Sequence, residues 1–163
     1  MFIEVNRIPP EGLEIDRALA LQPVALGGES APVDKVRLTG SFRRSRGEVV
    51  FRGSVEATLS LACSRCTAAM TLAVSGDCHR IYRAGPMGRP ASEGEIEEED
   101  LALTPFDGVR IDLAEIAREQ IYLLAPLKPL CRESCAGLCP RCGADRNTIS
   151  CGCTQPPEGE GSF

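Results

Sequence analysis

Tryptophan is missing from this 163-residue sequence, histidine occurs once, and aromatic residues make up only 4% of the chain. Any core must therefore be built mainly from aliphatic side chains. No apolar run reaches the length of about 20 residues that a membrane-spanning helix needs. The N-terminal stretch has neither the basic start nor the apolar segment of a secretory signal. We therefore expect a cytoplasmic protein that does not bind a membrane.

The motifs of common catalytic sites are also missing. The sequence has no glycine-rich phosphate loop, no HExxH motif and no carboxylate pair that spacing brings together. The one histidine, His79, falls in a predicted strand and has no evident nucleophile partner. We therefore expect that the protein is not an enzyme and that it takes no small-molecule substrate.

Charge is segregated along the chain, which carries a net charge of -5. Residues 93–100 hold six acids, in a segment that could be a solvating loop, mimic a polyanion or dock a basic partner. Residues 35–52 hold six basic residues against a single acid. The basic set could contact a phosphate backbone or be only a solvated strand face. Its members are Lys35, Arg37, Arg43, Arg44, Arg46 and Arg52.

Apolar and polar residues alternate from Val33 onward, the pattern of half-buried antiparallel strands. One predicted strand ends near Ser45, and the next runs from Val49 to Cys63 after a tight turn. A third follows Cys66. Phe42 and Phe51 fall on the inward face, so the basic outer face offers no aromatic ring for base stacking.

A helix is predicted to begin at Asp112, a good N-cap residue with Glu115 three positions later, and to end before Pro126. The fold class that these patterns indicate is α+β: an antiparallel β-rich body, one amphipathic helix, and a C-terminal cysteine-rich zinc-knuckle segment. The expected segments are a β-rich body (1–92), an acidic loop (93–104), a helix packed on the body (105–126), the cysteine-rich metal-binding segment (127–153) and a disordered tail (154–163).

The cysteine-rich segment carries the strongest motif, a CPRC knuckle at Cys139 and Cys142 followed by Gly143. Two residues between cysteines let both thiolates face one ion, and zinc takes four such ligands in a tetrahedron. We therefore predict structural zinc, with this knuckle pair completed from the other four cysteines nearby. Spacing leaves open which of them bind, and the alternatives are free thiols, disulfides, or a redox or iron–sulfur role. The six candidates are Cys131, Cys135, Cys139, Cys142, Cys151 and Cys153.

Cys63 and Cys66 form a second pair with two residues between them, at the predicted bend between two strands. The pair could be half of another zinc site, a contributor to the first, a redox pair or two packed thiols. A thioredoxin-like motif would need a helix after the strand, which the pattern does not predict here. Cys78 lies on the apolar face of its strand and is expected to be buried.

In order, these features resemble the YceD-like family of large ribosomal RNA subunit accumulation proteins. The resemblance rests on the hairpin ending in Cys63-Ser64-Arg65-Cys66, the acidic spacer and helix, and the segment from Pro126 to Gly143. Asn147 and Cys151-Gly152-Cys153 complete it. It implies a non-enzymatic factor in large-subunit ribosome biogenesis whose partner is large-subunit ribosomal RNA, a precursor particle or a basic ribosomal protein.

Two other functions stay open at this stage. One is a zinc-stabilised protein-interaction module that makes no RNA contact. The other is a thiol redox protein, which would require the thiol of Cys63 or Cys66 to have a lowered pKa.

Overall fold

A computed structural model describes residues 1–45, 47–84 and 103–153. Its elements are β1 (Phe2–Glu4), a 3-10 turn (Val5–Arg7), β2 (Leu13–Leu19), β3 (Val24–Leu26), β4 (Glu29–Ala31), β5 (Val33–Ser45), β6 (Glu48–Ala62), β7 (Ala69–Ala84), β8 (Leu103–Phe106), β9 (Arg110–Asp112) and the helix α1 (Leu113–Leu124). Long strands and one helix confirm the predicted α+β class.

The main sheet has five strands in the order β2-β5-β6-β7-β8. Strand β5 pairs with both β2 and β6 in antiparallel register, and β8 joins β7 in parallel. Two small antiparallel pairs, β1 with β9 and β3 with β4, complete the strands. Ser45 pairs with Glu48, so β5 and β6 form the antiparallel hairpin that the alternation predicts.

Alternation along β5 and β6 places one face of the sheet in the core. Residues that are fully buried on this face include Leu38, Phe42, Phe51, Val55 and Leu59. Helix α1 covers the same face with a stripe of fully buried side chains: Leu113, Ile116, Ala117 and Ile121. The inward direction predicted for Phe42 and Phe51 is confirmed.

The Asp112 side chain caps α1 by accepting a hydrogen bond of 3.0 Å from the Ala114 N–H. The helix is shorter than the predicted segment 105–126, because residues before Asp112 form β8 and β9 instead. The predicted acidic loop, 93–104, lies outside the described residues except for Leu103 and Thr104, which belong to β8. The predicted tail, 154–163, lies outside them entirely.

The chain divides into two compact units. The first comprises Met1–Ser60 and Thr71–Leu127, and it contains most of the sheet and α1. The second comprises Leu61–Met70 and Lys128–Phe163, of which the residues up to 153 are described. The loop between β6 and β7 thus belongs to the same unit as the cysteine-rich segment. The predicted metal-binding segment, 127–153, did not include this loop.

Two glycines face each other across β5 and β6, and the close approach of the strands depends on both. Gly40 pairs with Gly53. A Cβ atom on Gly53 would stand 2.0 Å from the Thr39 carbonyl oxygen and 2.7 Å from the Phe51 ring. The ring of Phe51 lies over this bare stretch of backbone and packs on Phe42, with ring centroids 4.6 Å apart.

The Gly53→Ala variant should therefore be strongly destabilised. The added methyl group would have to push two strands and a buried ring apart, which should cost about 3 kcal/mol or more of unfolding free energy. Urea unfolding followed by circular dichroism measures the loss. The matched control is Gly152→Ala, since a Cβ at Gly152 meets no atom within 4 Å. Equal stability of the two variants would contradict the close approach.

Candidate metal centres

Eight of the nine cysteines lie in the second unit, where they form two groups of four. The first cluster consists of Cys63, Cys66, Cys131 and Cys135, and the second cluster of Cys139, Cys142, Cys151 and Cys153. Within each cluster, all four Sγ atoms lie within 4.8 Å of one another. Each group can therefore hold a metal ion.

The sulfur separations fit tetrahedral coordination. In the first cluster the Sγ atoms of Cys63 and Cys135 are 3.8 Å apart, and those of Cys66 and Cys131 are 3.7 Å apart. Four sulfurs at about 2.3 Å from a central zinc ion lie roughly 3.8 Å from one another. The spacing is too small to enclose a polynuclear iron–sulfur cluster, because iron and sulfide ions would have to stand between the thiolates.

A tight turn between β6 and β7 shapes the first half of the first cluster. The Cys63 N–H donates to the Ala68 carbonyl at 2.9 Å, and the Thr67 N–H donates back to the Cys63 carbonyl at 2.9 Å. The Arg65 N–H points at the Cys63 sulfur, 3.5 Å away. This turn sets both thiols on one side, as the two-residue spacing of the pair suggests.

Arg65 joins this turn to the cysteine-rich segment. Its guanidinium donates to the carbonyl oxygens of Glu133 and Cys135, at 3.2 Å and 2.9 Å. Its own carbonyl accepts from the Leu138 N–H at 3.0 Å. These contacts position Cys131 and Cys135 opposite Cys63 and Cys66.

The CPRC knuckle shapes the second cluster. The Gly143 N–H donates to the Cys139 carbonyl at 2.9 Å, and the Cys139 N–H donates to the Ala144 carbonyl at 2.8 Å. Gly143 has φ 72°, which a residue with a side chain adopts only with strain. The backbone N–H groups of Cys142 and Arg141 stabilise the thiolate of Cys139 and lower its pKa to about 6.

Ionisation is uneven within each cluster. Backbone N–H groups, that of Cys131 foremost, lower the pKa of Cys63 to about 6. In contrast, local desolvation together with the neighbouring Cys135 and Cys66 thiols raises the pKa of Cys131 to about 12, although Cys131 is exposed at the surface, and the neighbouring Cys142 thiol raises the pKa of Cys153 to about 12. One sulfur in each cluster is thus ready to bind a cation, while another ionises only when a cation offsets the charges already present.

The structure divides the six predicted tail cysteines between two clusters. Cys139 and Cys142 are completed by Cys151 and Cys153, whereas Cys131 and Cys135 join the pair from the strand bend. Cys78 stands apart in the first unit at 2% exposure, and burial raises the pKa of its thiol. Spacing alone did not single out Arg65, although its place between two cysteines of a turn was a usable signal.

The basic residues predicted to contact a partner differ in their surroundings. Lys35, Arg43, Arg44 and Arg52 are exposed and form no ion pair with any other described residue. Arg37, however, donates from Nε to the Asp16 carboxylate of β2 at 2.8 Å, and this contact lowers the pKa of Asp16. Arg46 lies outside the described residues.

Comparison with known proteins identifies the family. Residues 51–160 match the family model described as large ribosomal RNA subunit accumulation protein YceD. The chain belongs to the YceD family. The match covers the strand bend, α1 and both clusters, and it confirms the resemblance drawn from the sequence. No solved structure matches the chain.

Two curated plant proteins are similar to this YceD family member. Both are named large ribosomal RNA subunit accumulation protein YCED homolog 1, chloroplastic. The maize protein is 26% identical, with 77% of this chain and 50% of the maize protein aligned. The Arabidopsis thaliana protein is 22% identical, with 77% of this chain and 46% of that protein aligned. The chain thus spans about half the length of these relatives.

Location within a cell stays a prediction. Among the described residues, no helix has the length and apolar character needed to span a membrane.

The geometry predicts two metal ions per chain. Cys66→Ser should reduce the content to one ion, because it removes a ligand from the first cluster alone. Cys78→Ser is the matched control and should keep two, since Cys78 belongs to neither cluster. Native mass spectrometry under reducing conditions counts the ions. Loss of both ions in Cys66→Ser, or of either in Cys78→Ser, would contradict the assignment.

Proposed function

We propose that this protein is a non-enzymatic factor that supports the accumulation of large-subunit ribosomal RNA, and that it contacts that RNA or a precursor particle through an arginine-rich strand face. The description of its family supports the role. The observation that carries the contact is a group of three exposed arginines, Arg43, Arg44 and Arg52, which form no ion pair with any other described residue.

The strand register explains why this face suits an anion. Arg43 lies opposite Val50, and Arg52 lies opposite Ser41, so the two arginines are diagonal neighbours on adjacent strands. Diagonal neighbours stand about 7–8 Å apart, where two like charges repel. A phosphate placed between them would turn that repulsion into attraction. Arg37 lacks this property, since it lies opposite Glu56 and also pairs with Asp16.

Arg44 directly follows Arg43 in β5, so its side chain lies on the opposite face of the sheet, near the end of the hairpin. It is exposed, and it borders a groove of about 690 Å³ whose wall also includes Arg7 and Ser45. Contacts of this kind recognise the backbone of a nucleic acid and not its base sequence.

In this proposal each cysteine cluster holds one structural zinc ion. All four ligands are sulfur, the first cluster's sulfur spacing matches a tetrahedron, and every position is filled by protein, which is the arrangement of a structural site and not a catalytic one. Cys63, Cys66, Cys131 and Cys135 would hold one ion, and Cys139, Cys142, Cys151 and Cys153 the other. Zinc would supply folding free energy to a unit with little apolar content.

A protein-interaction module without RNA contact is a second candidate. Leu138 and Ile149 of the second unit are exposed at 36% and 58%, and they offer apolar contact area to a protein partner such as a basic ribosomal protein. A redox function has one supporting observation, the low pKa of Cys63. Cys63 is only 1% exposed, however, so a disulfide substrate would have little access to its sulfur.

Reversal of three charges tests the RNA proposal. The triple variant Arg43→Glu, Arg44→Glu and Arg52→Glu should lose at least tenfold in association with precursor large-subunit particles, and the salt dependence of binding should become shallower. Co-sedimentation at several salt concentrations measures both. The charge-matched control reverses Arg17, Arg118 and Lys128, which are exposed and do not line the groove beside Arg44. Equal binding by both triple variants would favour the protein-interaction candidate.

Metal analysis tests the zinc proposal. Protein purified under reducing conditions should be colourless and contain two zinc ions per chain. Removal by a strong chelator should abolish the ordered NMR signals of residues 128–153, because those residues depend on the ions for their fold. Elemental mass spectrometry identifies the metal. Bound iron, or retained order without metal, would overturn the proposal.

A further inference from the structure

The side chain of Asn147 uses every hydrogen-bonding position it has. Its Oδ1 accepts from the Ala136 N–H at 2.9 Å and from Nη2 of Arg132 at 2.8 Å. Its Nδ2 donates to Oδ1 of Asp145 at 2.6 Å and to the Cys135 sulfur at 3.5 Å. An amide with two acceptor sites and two donor sites is then fully satisfied, and its orientation is fixed.

Asn147 lies in the sequence segment of the second cluster, but its side chain contacts the first cluster. It lies between Cys142 and Cys151, two members of the second cluster. The sulfur to which it donates belongs to Cys135, a member of the first cluster. An ion in the second cluster would close residues 142–151 into a loop and so hold Asn147 in place.

The backbone around Asn147 is built to present it toward the first cluster. The Arg146 N–H donates to the Gly137 carbonyl at 2.9 Å, and Leu138 and Asp145 form an antiparallel bridge. The Asp145 carboxylate also accepts from the Asn147 N–H at 2.9 Å, which fixes the turn. The loop of the second cluster is thereby attached to the segment that follows Cys135.

We propose that the two metal sites are energetically coupled and that Asn147 is the positioning residue that couples them. The inference rests on the proposed metal binding. An ion in the second cluster orders the loop, the loop presents the Asn147 amide, and the amide stabilises the Cys135 thiolate that binds the ion of the first cluster. Coupling of binding is reciprocal, so an ion in the first cluster raises the affinity of the second by the same factor.

The size of the coupling follows from related sites. Loss of a hydrogen-bonding group behind a metal ligand typically reduces metal affinity about 10- to 100-fold. The product of the two affinities in the intact chain should therefore exceed the product of the two separate affinities by a factor in that range.

Cobalt titration of the full-length protein measures the ratio of these two products of affinities. Co²⁺ bound by four thiolates gives charge-transfer bands that follow occupancy. The double variant Cys151→Ser/Cys153→Ser gives the cobalt affinity of the first cluster alone. The double variant Cys63→Ser/Cys66→Ser gives that of the second cluster alone, and the unaltered chain gives both affinities together. Asn147→Asp is then introduced into all three. This change preserves the size and the acceptor oxygen of the side chain but removes the two donor hydrogens.

With Asn147 present, we expect the product of the two affinities in the unaltered chain to exceed the product of the two separate affinities about 10- to 100-fold. With Asn147→Asp, we expect this ratio to be near one and the charge-transfer band of the first cluster to shift. Thr148→Ala is the matched control, because among the described residues the Thr148 side chain hydrogen-bonds with the Asp145 carbonyl and with neither cluster, and its ratio should be unchanged. Circular dichroism checks that every variant retains its sheet.

Two results would overturn the coupling: a ratio near one in the unaltered chain, or a ratio that Asn147→Asp leaves unchanged. Neither would affect the proposed metal binding. Failure of the unaltered chain to bind any ion would overturn both proposals, so the outcomes distinguish them.

Discussion

The structure of the second unit depends on how the repulsion between its closely spaced thiolates is neutralised. Four sulfur atoms within 4.8 Å cannot all ionise beside one another unless a cation neutralises them. Apolar packing offers little support, since the partly buried hydrophobic residues that contact the first cluster are Met70 and Leu130. Backbone N–H groups lower the pKa of Cys63 and Cys139, but four ionised thiolates at this spacing would need a shared cation between them.

The register of β5 with β6 is a second constraint, and it fixes which face of the sheet enters the core. The long register of β5 with β6 and the glycine pair at its centre leave little freedom to slide, because a shift by one residue would turn Phe42 and Phe51 outward. The separation of Cys63 and Cys66 is set within the second unit, by the hydrogen bonds of the turn between Cys63 and Ala68. The arginine face belongs to the first unit.

Local patterns predicted much of this fold, and long-range pairing explains the rest. Alternation located β5, β6 and β7, and Asp112 marked the start of α1, because those signals lie in neighbouring residues. Spacing revealed cysteine pairs but not how pairs combine, since Cys66 and Cys131 are 65 positions apart. The pairing of Arg37 with Asp16 was missed for the same reason: it depends on the register between β2 and β5.

The wide separation of Cys66 and Cys131 has a consequence for synthesis of the chain. At about 5–20 residues per second, a ribosome needs roughly 3 to 13 seconds to proceed from Cys66 to Cys131, 65 positions later. During that interval the nascent chain has the CSRC turn without its partner thiols. A cell must keep that turn reduced, or supply it with a transient metal donor, until the cysteine-rich segment emerges.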